Sequence, residues 1–180
     1  MRIRSGLTFL FILGLLAGCS AAQETPAAPS SGNMKITSGA FADGQTIPVE
    51  YTCDGADANP ALAWKGVPEG AQSLALIMTD PDAPGRTFYH WAVYNIPPEQ
   101  REIAQSGPAG ELAFAQAEND FGEPNFRGPC PPAGSPHRYF FTLYALDTIL
   151  EDGLQGARDV EKALEGHVLD HAQVMGTFGR

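Results

Sequence analysis

The chain has 180 residues, of which 43% are hydrophobic and 18% charged, and this composition suits one globular domain preceded by a leader. Its 11 basic and 21 acidic residues give a formal net charge of -10, which argues against nucleic acid as a partner. The 20 glycines and 15 prolines favour a fold of short strands and many turns over a helical bundle.

Residues 1–18 are predicted to be a lipoprotein signal peptide. Arg2 and Arg4 supply the positive start, and the apolar stretch 7–16 is too short for an ordinary transmembrane span. The stretch Leu16-Ala17-Gly18-Cys19 resembles the bacterial lipobox, so Cys19 is predicted to carry the lipid. A plain secretory signal with a chance cysteine is the alternative.

Residues 19–33 are predicted to be the lipidated cysteine followed by a flexible tether, because they show no periodicity and offer little to bury. Ser20 follows Cys19, and by resemblance to known sorting rules this points to the outer membrane. We therefore expect an envelope protein that faces the periplasm and meets the membrane through its lipid anchor only.

Two cysteines, Cys53 and Cys130, remain after lipidation of Cys19. An exported protein resides in an oxidising compartment, where an even number of cysteines favours a disulfide. Two buried thiols, or Cys130 as a nucleophile, are the alternatives.

The folded domain is predicted to span residues 34–180. The first predicted strand is 47–51, and the continuous apolar run 73–79 predicts a central strand covered on both faces. The alternating stretch 88–96 should place Phe88, His90, Ala92 and Tyr94 on one face. A further buried strand is predicted over 139–146.

The second half of the domain adds one long loop and one helix. Residues 107–136 are rich in glycine and proline, and loops of that length are often functional. An apolar stripe predicts a helix from about Arg158 to His171, and residues 173–178 are expected to form a closing strand. Together these elements predict a mostly β protein, a β-sandwich with a peripheral C-terminal helix.

Asp80 and Asp82 follow the central strand and bracket a proline, which is also ordinary turn chemistry. A carboxylate bonded to one histidine nitrogen fixes the tautomer and leaves the other nitrogen for a ligand. His90 and His137 are the candidate partners. In the stiff loop 128–132 the prolines lack N–H groups, so the amides of Gly128 and Cys130 are potential anion donors.

Metal and nucleophilic chemistry receive weaker support. Asp80, His90 and His137 could form a zinc triad, but no short ligand spacing indicates one. His167 and His171 are spaced as i, i+4 on the predicted helix, without the glutamate of a metalloprotease motif. No hydrolase or nucleotide-binding fingerprint is present. We expect no cofactor and no metal.

Taken together, the motifs of residues 39–180 resemble the phosphatidylethanolamine-binding protein family, in its bacterial Raf-kinase-inhibitor-like branch. The matching segments are 51–55, 62–68, 80–84, 90–95, 119–122, 128–132, 137–147 and 164–169. The resemblance implies a Greek-key sandwich of antiparallel sheets with a small anion-accepting pocket at one end. The residues that it places in the pocket are Asp80, Asp82, His90, Gly128, Pro129, His137 and Tyr139.

The function that we expect is binding or regulation without catalysis, with a phosphate-like or headgroup-like anion as the ligand. An acid–base hydrolase that uses Asp80, His90 and His137 is the first alternative. An envelope interaction protein with a vestigial pocket is the second. The sequence does not identify a protein partner.

Overall fold

The computed structural model describes residues 32–106 and 112–180. The predicted signal peptide 1–18, Cys19 and most of the predicted tether lie outside these residues. Within the described ranges, no helix is both long enough and apolar enough to cross a membrane.

The described residues form eight β-strands and one α-helix. The strands are β1 (Lys35–Ser38), β2 (Leu62–Lys65), β3 (Ser73–Asp80), β4 (Phe88–Ile96), β5 (Glu102–Ile103), β6 (Ala115–Gln116), β7 (His137–Leu146) and β8 (Val168–Phe178), and the helix α1 spans Ala157–Ala163. One sheet has the order β1-β2-β5 and the other has the order β6-β4-β3-β7-β8. All pairings within the two sheets are antiparallel. This confirms the predicted β-sandwich with its C-terminal helix.

Two apolar cores cover the two faces of the larger sheet. Leu74, Leu76 and Met78 of β3 point into the core between the sheets, together with residues of β1, β2, β7 and β8. Ala75 and Ile77 point the other way, toward Val160 of α1. Because the run is buried on both faces, every position had to be apolar, and this explains why the central strand could be predicted from the sequence.

The predicted alternation along β4 is wrong beyond His90, because two irregularities interrupt it. Trp91 pairs with Met78 and Tyr89 with Thr79, so His90 is an extra residue between them. A second shift lies between Val93 and Ile96. An extra residue on one strand shifts the side chains that follow to the opposite face. Phe88 and His90 therefore share a face, whereas Ala92 and Tyr94 pack on the helix side.

The predicted strand 47–51 is not a strand. Ile47 donates its amide to the carbonyl of Thr177 in β8, after which residues Val49–Tyr51 form a 3-10 helix that follows Pro48. Proline has no amide hydrogen to donate and fixes φ near -65°, so the segment turns away from β8 and does not continue along it.

The predicted helix 158–171 is wrong in its second half. α1 ends at Ala163, and Gly166 adopts a φ of 81°, a left-handed conformation that commonly terminates helices. The chain then enters β8, so His167 and His171 do not share a helix face. His167 donates from Nδ1 to Asp147, and His171 stacks on Tyr144. The metal alternative at this pair loses its geometric basis.

Candidate ligand-binding site

The candidate site is a cavity of about 180 Å³ at one end of the core between the sheets. β3 ends at Asp80, and its antiparallel neighbour β7 begins at His137, so two residues 57 positions apart meet there. The bulge in β4 adds His90 from the other side of β3. The lining residues are Asp80, Ala83, Pro84, Phe88, His90, Phe121, Cys130, Pro131, Pro132 and His137.

Asp80 and His137 form a buried pair. Nδ1 of His137 lies 2.7 Å from Oδ2 of Asp80, and the two side chains are only 11% and 4% exposed. The other carboxylate oxygen accepts the amide of Asp82 at 2.9 Å. This carboxylate orients the imidazole and makes Nδ1 its donor, so Nε2 remains for a ligand.

His90 has a different partner. Its Nδ1 lies 2.8 Å from the backbone carbonyl oxygen of Arg127. Burial lowers the pKa of His90, and this outweighs the nearby carbonyls of Arg127 and Gly128 and the carboxylates of Asp80 and Asp120, which favour the charged form. His90 is therefore the neutral imidazole of the site.

Tyr139 packs against the two imidazoles and is fully buried. Its ring meets that of His90 edge-on at 5.3 Å and stacks with that of His137 at 6.5 Å. Its hydroxyl, sealed from solvent, forms no hydrogen bond of good geometry within the described residues. Burial raises the pKa of Tyr139, and the negative charge of Asp80 adds to this. This predicted ligand residue therefore packs against both imidazoles but is not among the residues that line the cavity.

Asp82 lies outside the cavity. Its two carboxylate oxygens receive Nε and Nη2 of Arg138 at 2.8 and 2.7 Å, and one of them also accepts the Arg138 amide. These hydrogen bonds with Arg138 lower the pKa of Asp82 to about 2. The structure therefore places this predicted ligand residue in a surface ion pair next to the site.

Gly128 and Pro129 lie behind the cavity wall. The Gly128 amide donates to Oδ1 of Asp57 at 2.7 Å, so this donor is already used inside the protein. A Cβ at Gly128 would lie 2.2 Å from the backbone oxygen of Tyr51, which explains why a glycine is required here. The carbonyl of Pro129 accepts the Cys53 amide at 3.1 Å.

The wall itself consists of the next three residues, Cys130, Pro131 and Pro132. A disulfide joins Cys130 to Cys53, with the two Cα atoms 5.4 Å apart. Arg180 donates from Nε to the carbonyl of Pro131 at 2.7 Å and thereby fixes the same loop from the other side.

Sequence reasoning did not name the apolar rim of the cavity. Phe88 and Phe121 pack edge to face at 4.9 Å, and Phe121 also meets the His90 ring at 5.5 Å. Asn119 holds this loop, because its Oδ1 accepts the amides of Phe121 and Glu123. The motif 119–122 carries part of the family resemblance, but its distance in sequence from the histidines gives no sign of its place beside them.

A larger groove of about 560 Å³ runs along β1 and β8. No histidine lines it, and its one carboxylate, Asp43, accepts the amide of Met175. The smaller cavity is the better candidate because two imidazoles and a carboxylate converge there within apolar walls. The described residues contain no group of three or more His, Cys, Asp or Glu side chains placed to hold a metal ion.

The fold and the site together define a class: a β-sandwich domain with a small, largely apolar cavity in which two histidines and an aspartate converge. The sequence model named "Phosphatidylethanolamine-binding protein" matches residues 37–179. The chain therefore belongs to the phosphatidylethanolamine-binding protein family.

Relatives and solved structures agree with this assignment. The chain is 48% identical to a UPF0098 protein of Methanothermobacter thermautotrophicus over 151 residues, covering 82% of this chain and 99% of the relative. A UPF0098 protein of Aquifex aeolicus is 44% identical, with 82% and 89% covered. The structure resembles those of a phosphatidylethanolamine-binding protein homologue from Chlamydia trachomatis (TM-score 0.75, 37% identity, 83% and 99% covered) and of YbcL from Escherichia coli (TM-score 0.75, 32% identity, 82% and 98% covered).

Proposed function

We propose that this chain is a lipid-anchored envelope protein that binds a small phosphate-like anion, or a headgroup that carries one, in the cavity between His90 and His137. Its role is binding or regulation, and catalysis is not part of the proposal. The observation that carries it is the buried Asp80–His137 pair, which faces a second imidazole across a cavity with otherwise apolar walls.

His137 is the side chain best placed to donate a hydrogen bond to an anion in the cavity. Arg138 is paired with Asp82, and Arg127 is paired with Asp57 and Glu123, so both guanidinium groups are already neutralised. When His137 is protonated, Nδ1 donates to Asp80 and Nε2 can donate to a ligand oxygen. A charge-assisted hydrogen bond of this kind is stronger than one between neutral groups.

The size of the cavity also supports a small ligand. A volume of about 180 Å³ lies below the usual range for drug-sized ligands, which starts at roughly 300 Å³. The pocket can therefore hold a phosphate-sized group with a small substituent. The rings of Phe88 and Phe121 offer that substituent an apolar surface at the rim.

The proposal is tested by titrating inorganic phosphate into the protein and following backbone amide shifts by NMR. We expect saturable binding, with the largest shifts at amides around the cavity. His137→Ala should weaken binding by about 1–3 kcal/mol for one lost charge-assisted bond. Unchanged affinity in this variant would refute the assignment of the site.

The chain offers a matched control for this substitution. His167 also donates from Nδ1 to a carboxylate, that of Asp147 at 2.8 Å, but the pair is exposed and outside the cavity. His167→Ala removes an equivalent imidazole–carboxylate pair and should leave phosphate affinity unchanged. An equal loss in both variants would indicate a general effect of histidine removal.

The lipid anchor is tested separately with Cys19→Ser in cells that are fed a labelled fatty acid. We expect label in the membrane fraction for the wild-type chain and none for the variant. Label in the variant would refute lipidation at Cys19. No observation favours the hydrolase alternative, and the sulfur of Cys130, joined to Cys53, is not free to attack a substrate.

A further inference from the structure

The anion-binding proposal leaves open which oxyanions the cavity accepts, and the inference here rests on that proposal. We infer that the cavity selects oxyanions that carry a proton, and therefore prefers hydrogen phosphate monoesters to sulfate esters of the same shape and charge. The residue that makes this selection is His90, which presents a hydrogen-bond acceptor to the ligand.

The hydrogen bond at Nδ1 determines what His90 can offer. The backbone carbonyl of Arg127 can only accept, so Nδ1 of His90, 2.8 Å away, must carry the hydrogen. In a neutral imidazole the other nitrogen, Nε2, is then a bare acceptor. The same local geometry thus supports the ring and determines its tautomer.

Nε2 of His90 is open to the cavity. Among the described residues, two side-chain polar atoms are sealed from solvent without a partner, Oδ1 of Asn125 and the hydroxyl of Tyr139. Nε2 is not one of them, and it belongs to a residue that lines the cavity. Within the described ranges, the one hydrogen bond of ordinary geometry that the ring makes is that from Nδ1 to Arg127. Nε2 is therefore accessible to a ligand.

The surroundings keep His90 neutral. Its ring is enclosed by those of Phe88, Phe121 and Tyr139, which provide no compensating charge. The charged or titratable groups that face it are Asp80, Asp120, His137 and the Arg127 side chain, which lies over the Phe121 ring. Arg158 and Arg86 pair with Asp120, and Asp80 accepts a hydrogen bond from Nδ1 of His137.

A neutral acceptor beside a carboxylate imposes a requirement on the ligand. An oxyanion without a hydrogen directs an oxygen lone pair at Nε2 of His90, so neither that oxygen nor Nε2 gains a hydrogen bond. A hydrogen phosphate monoester donates its P–O–H to Nε2 and still offers oxygens to His137 on the other side. Polar sites reject analogues that lack one hydrogen-bonding group because the remaining partner is then unpaired.

Methyl phosphate and methyl sulfate provide the test. Near pH 5.5 both are monoanions of similar shape, but only methyl phosphate retains a hydrogen, because a phosphate monoester loses its second proton at about pH 6. The hydrogen bond from His137 should be available to both ligands, so the ratio of their affinities isolates the contribution of the ligand proton. We expect methyl phosphate to bind at least about tenfold more tightly at pH 5.5, with the ratio falling by about pH 7.5.

His90→Asn removes Nε2 while its amide nitrogen can still donate to the Arg127 carbonyl. We expect methyl phosphate and methyl sulfate to bind this variant with about equal affinity. His167→Asn makes the same chemical change outside the cavity and should keep the wild-type ratio. In the wild-type protein, long-range proton–nitrogen NMR should show His90 with hydrogen on Nδ1 and none on Nε2.

The outcomes separate this inference from the proposed function. Equal affinity for the two esters at pH 5.5 refutes the inference and leaves anion binding in place. Binding of neither ester, nor of phosphate, refutes both. A preference that persists in His90→Asn also refutes the role of His90. Should that variant not fold, a hydrogen on Nε2 in the wild-type spectrum refutes the inference, and its absence supports it.

Discussion

Removal of the Cys53–Cys130 disulfide should destabilise the domain through its unfolded state. The bridge links residues 77 positions apart. In the chain-entropy model, a closed loop of this length lowers the entropy of the unfolded chain by about 15 cal/mol/K, or about 4.5 kcal/mol at 25 °C. Total stabilities of single domains are about 5–15 kcal/mol, so this is a large share.

The folded state should change much less than the unfolded one. Three hydrogen bonds hold the loop independently of the bridge: Cys53 to Pro129, Gly128 to Asp57 and Arg180 to Pro131. The cavity wall should therefore stay in place without the disulfide. We expect the Cys53→Ala/Cys130→Ala variant to retain phosphate affinity within about threefold while losing most of the 4.5 kcal/mol.

The assay is urea unfolding followed by the fluorescence of Trp64 and Trp91. The double variant should unfold about 4 kcal/mol more easily, with a steeper dependence on urea because the unlinked chain exposes more surface. The wild-type protein in reductant should behave like the variant, and this separates the bridge from the side-chain change. A loss below about 1 kcal/mol, or a loss of phosphate binding with unchanged stability, would refute this reasoning.

Two further predictions concern residues around the site. The pKa of His90 is lowered in the fold, so below about pH 6.5 the unfolded chain takes up a proton that the folded chain does not. The free energy of unfolding should therefore decrease as the pH is lowered through this range, by up to about 1.4 kcal/mol per pH unit. In urea unfolding at several pH values, His90→Asn should lose this part of the slope, and an unchanged slope would contradict a neutral, buried His90. Gly128→Ala should lower the free energy of unfolding by about 3 kcal/mol or more, because the added Cβ would lie 2.2 Å from the Tyr51 carbonyl oxygen. Gly39→Ala is the control, because its Cβ would meet Ala61 at an ordinary 3.6 Å and should have little effect on stability. Equal unfolding midpoints for the two glycine variants would contradict this prediction, because they would mean that loop 128–132 can shift to accept a Cβ at little cost in free energy.

The sequence by itself determined the features that depend on local pattern. The apolar run of β3 and the strand character of β4 and β7 follow from side chains that must be apolar wherever a strand is buried. Family motifs distributed over the whole domain indicated the sandwich. Asp80, His90 and His137 were also predicted from the sequence, and the structure brings them together around one cavity.

The tertiary structure alone decided how those residues are used. Asp82 looks equivalent to Asp80 in sequence. In the structure the Asp82 carboxylate pairs with Arg138, because the start of β7 places that guanidinium beside it. The amide of Gly128 looked free but is bound by Asp57, 71 residues earlier.

The same holds for the two places where local periodicity failed. The helical stripe through Val160 continued into Val168 and Leu169, yet Gly166 ends the helix turn and the chain becomes the long edge strand that pairs with all of β7. The bulge at His90 turned its side chain toward the cavity. Pairing partners distant in sequence provide the free energy for both, and no local pattern records which partner a segment will meet.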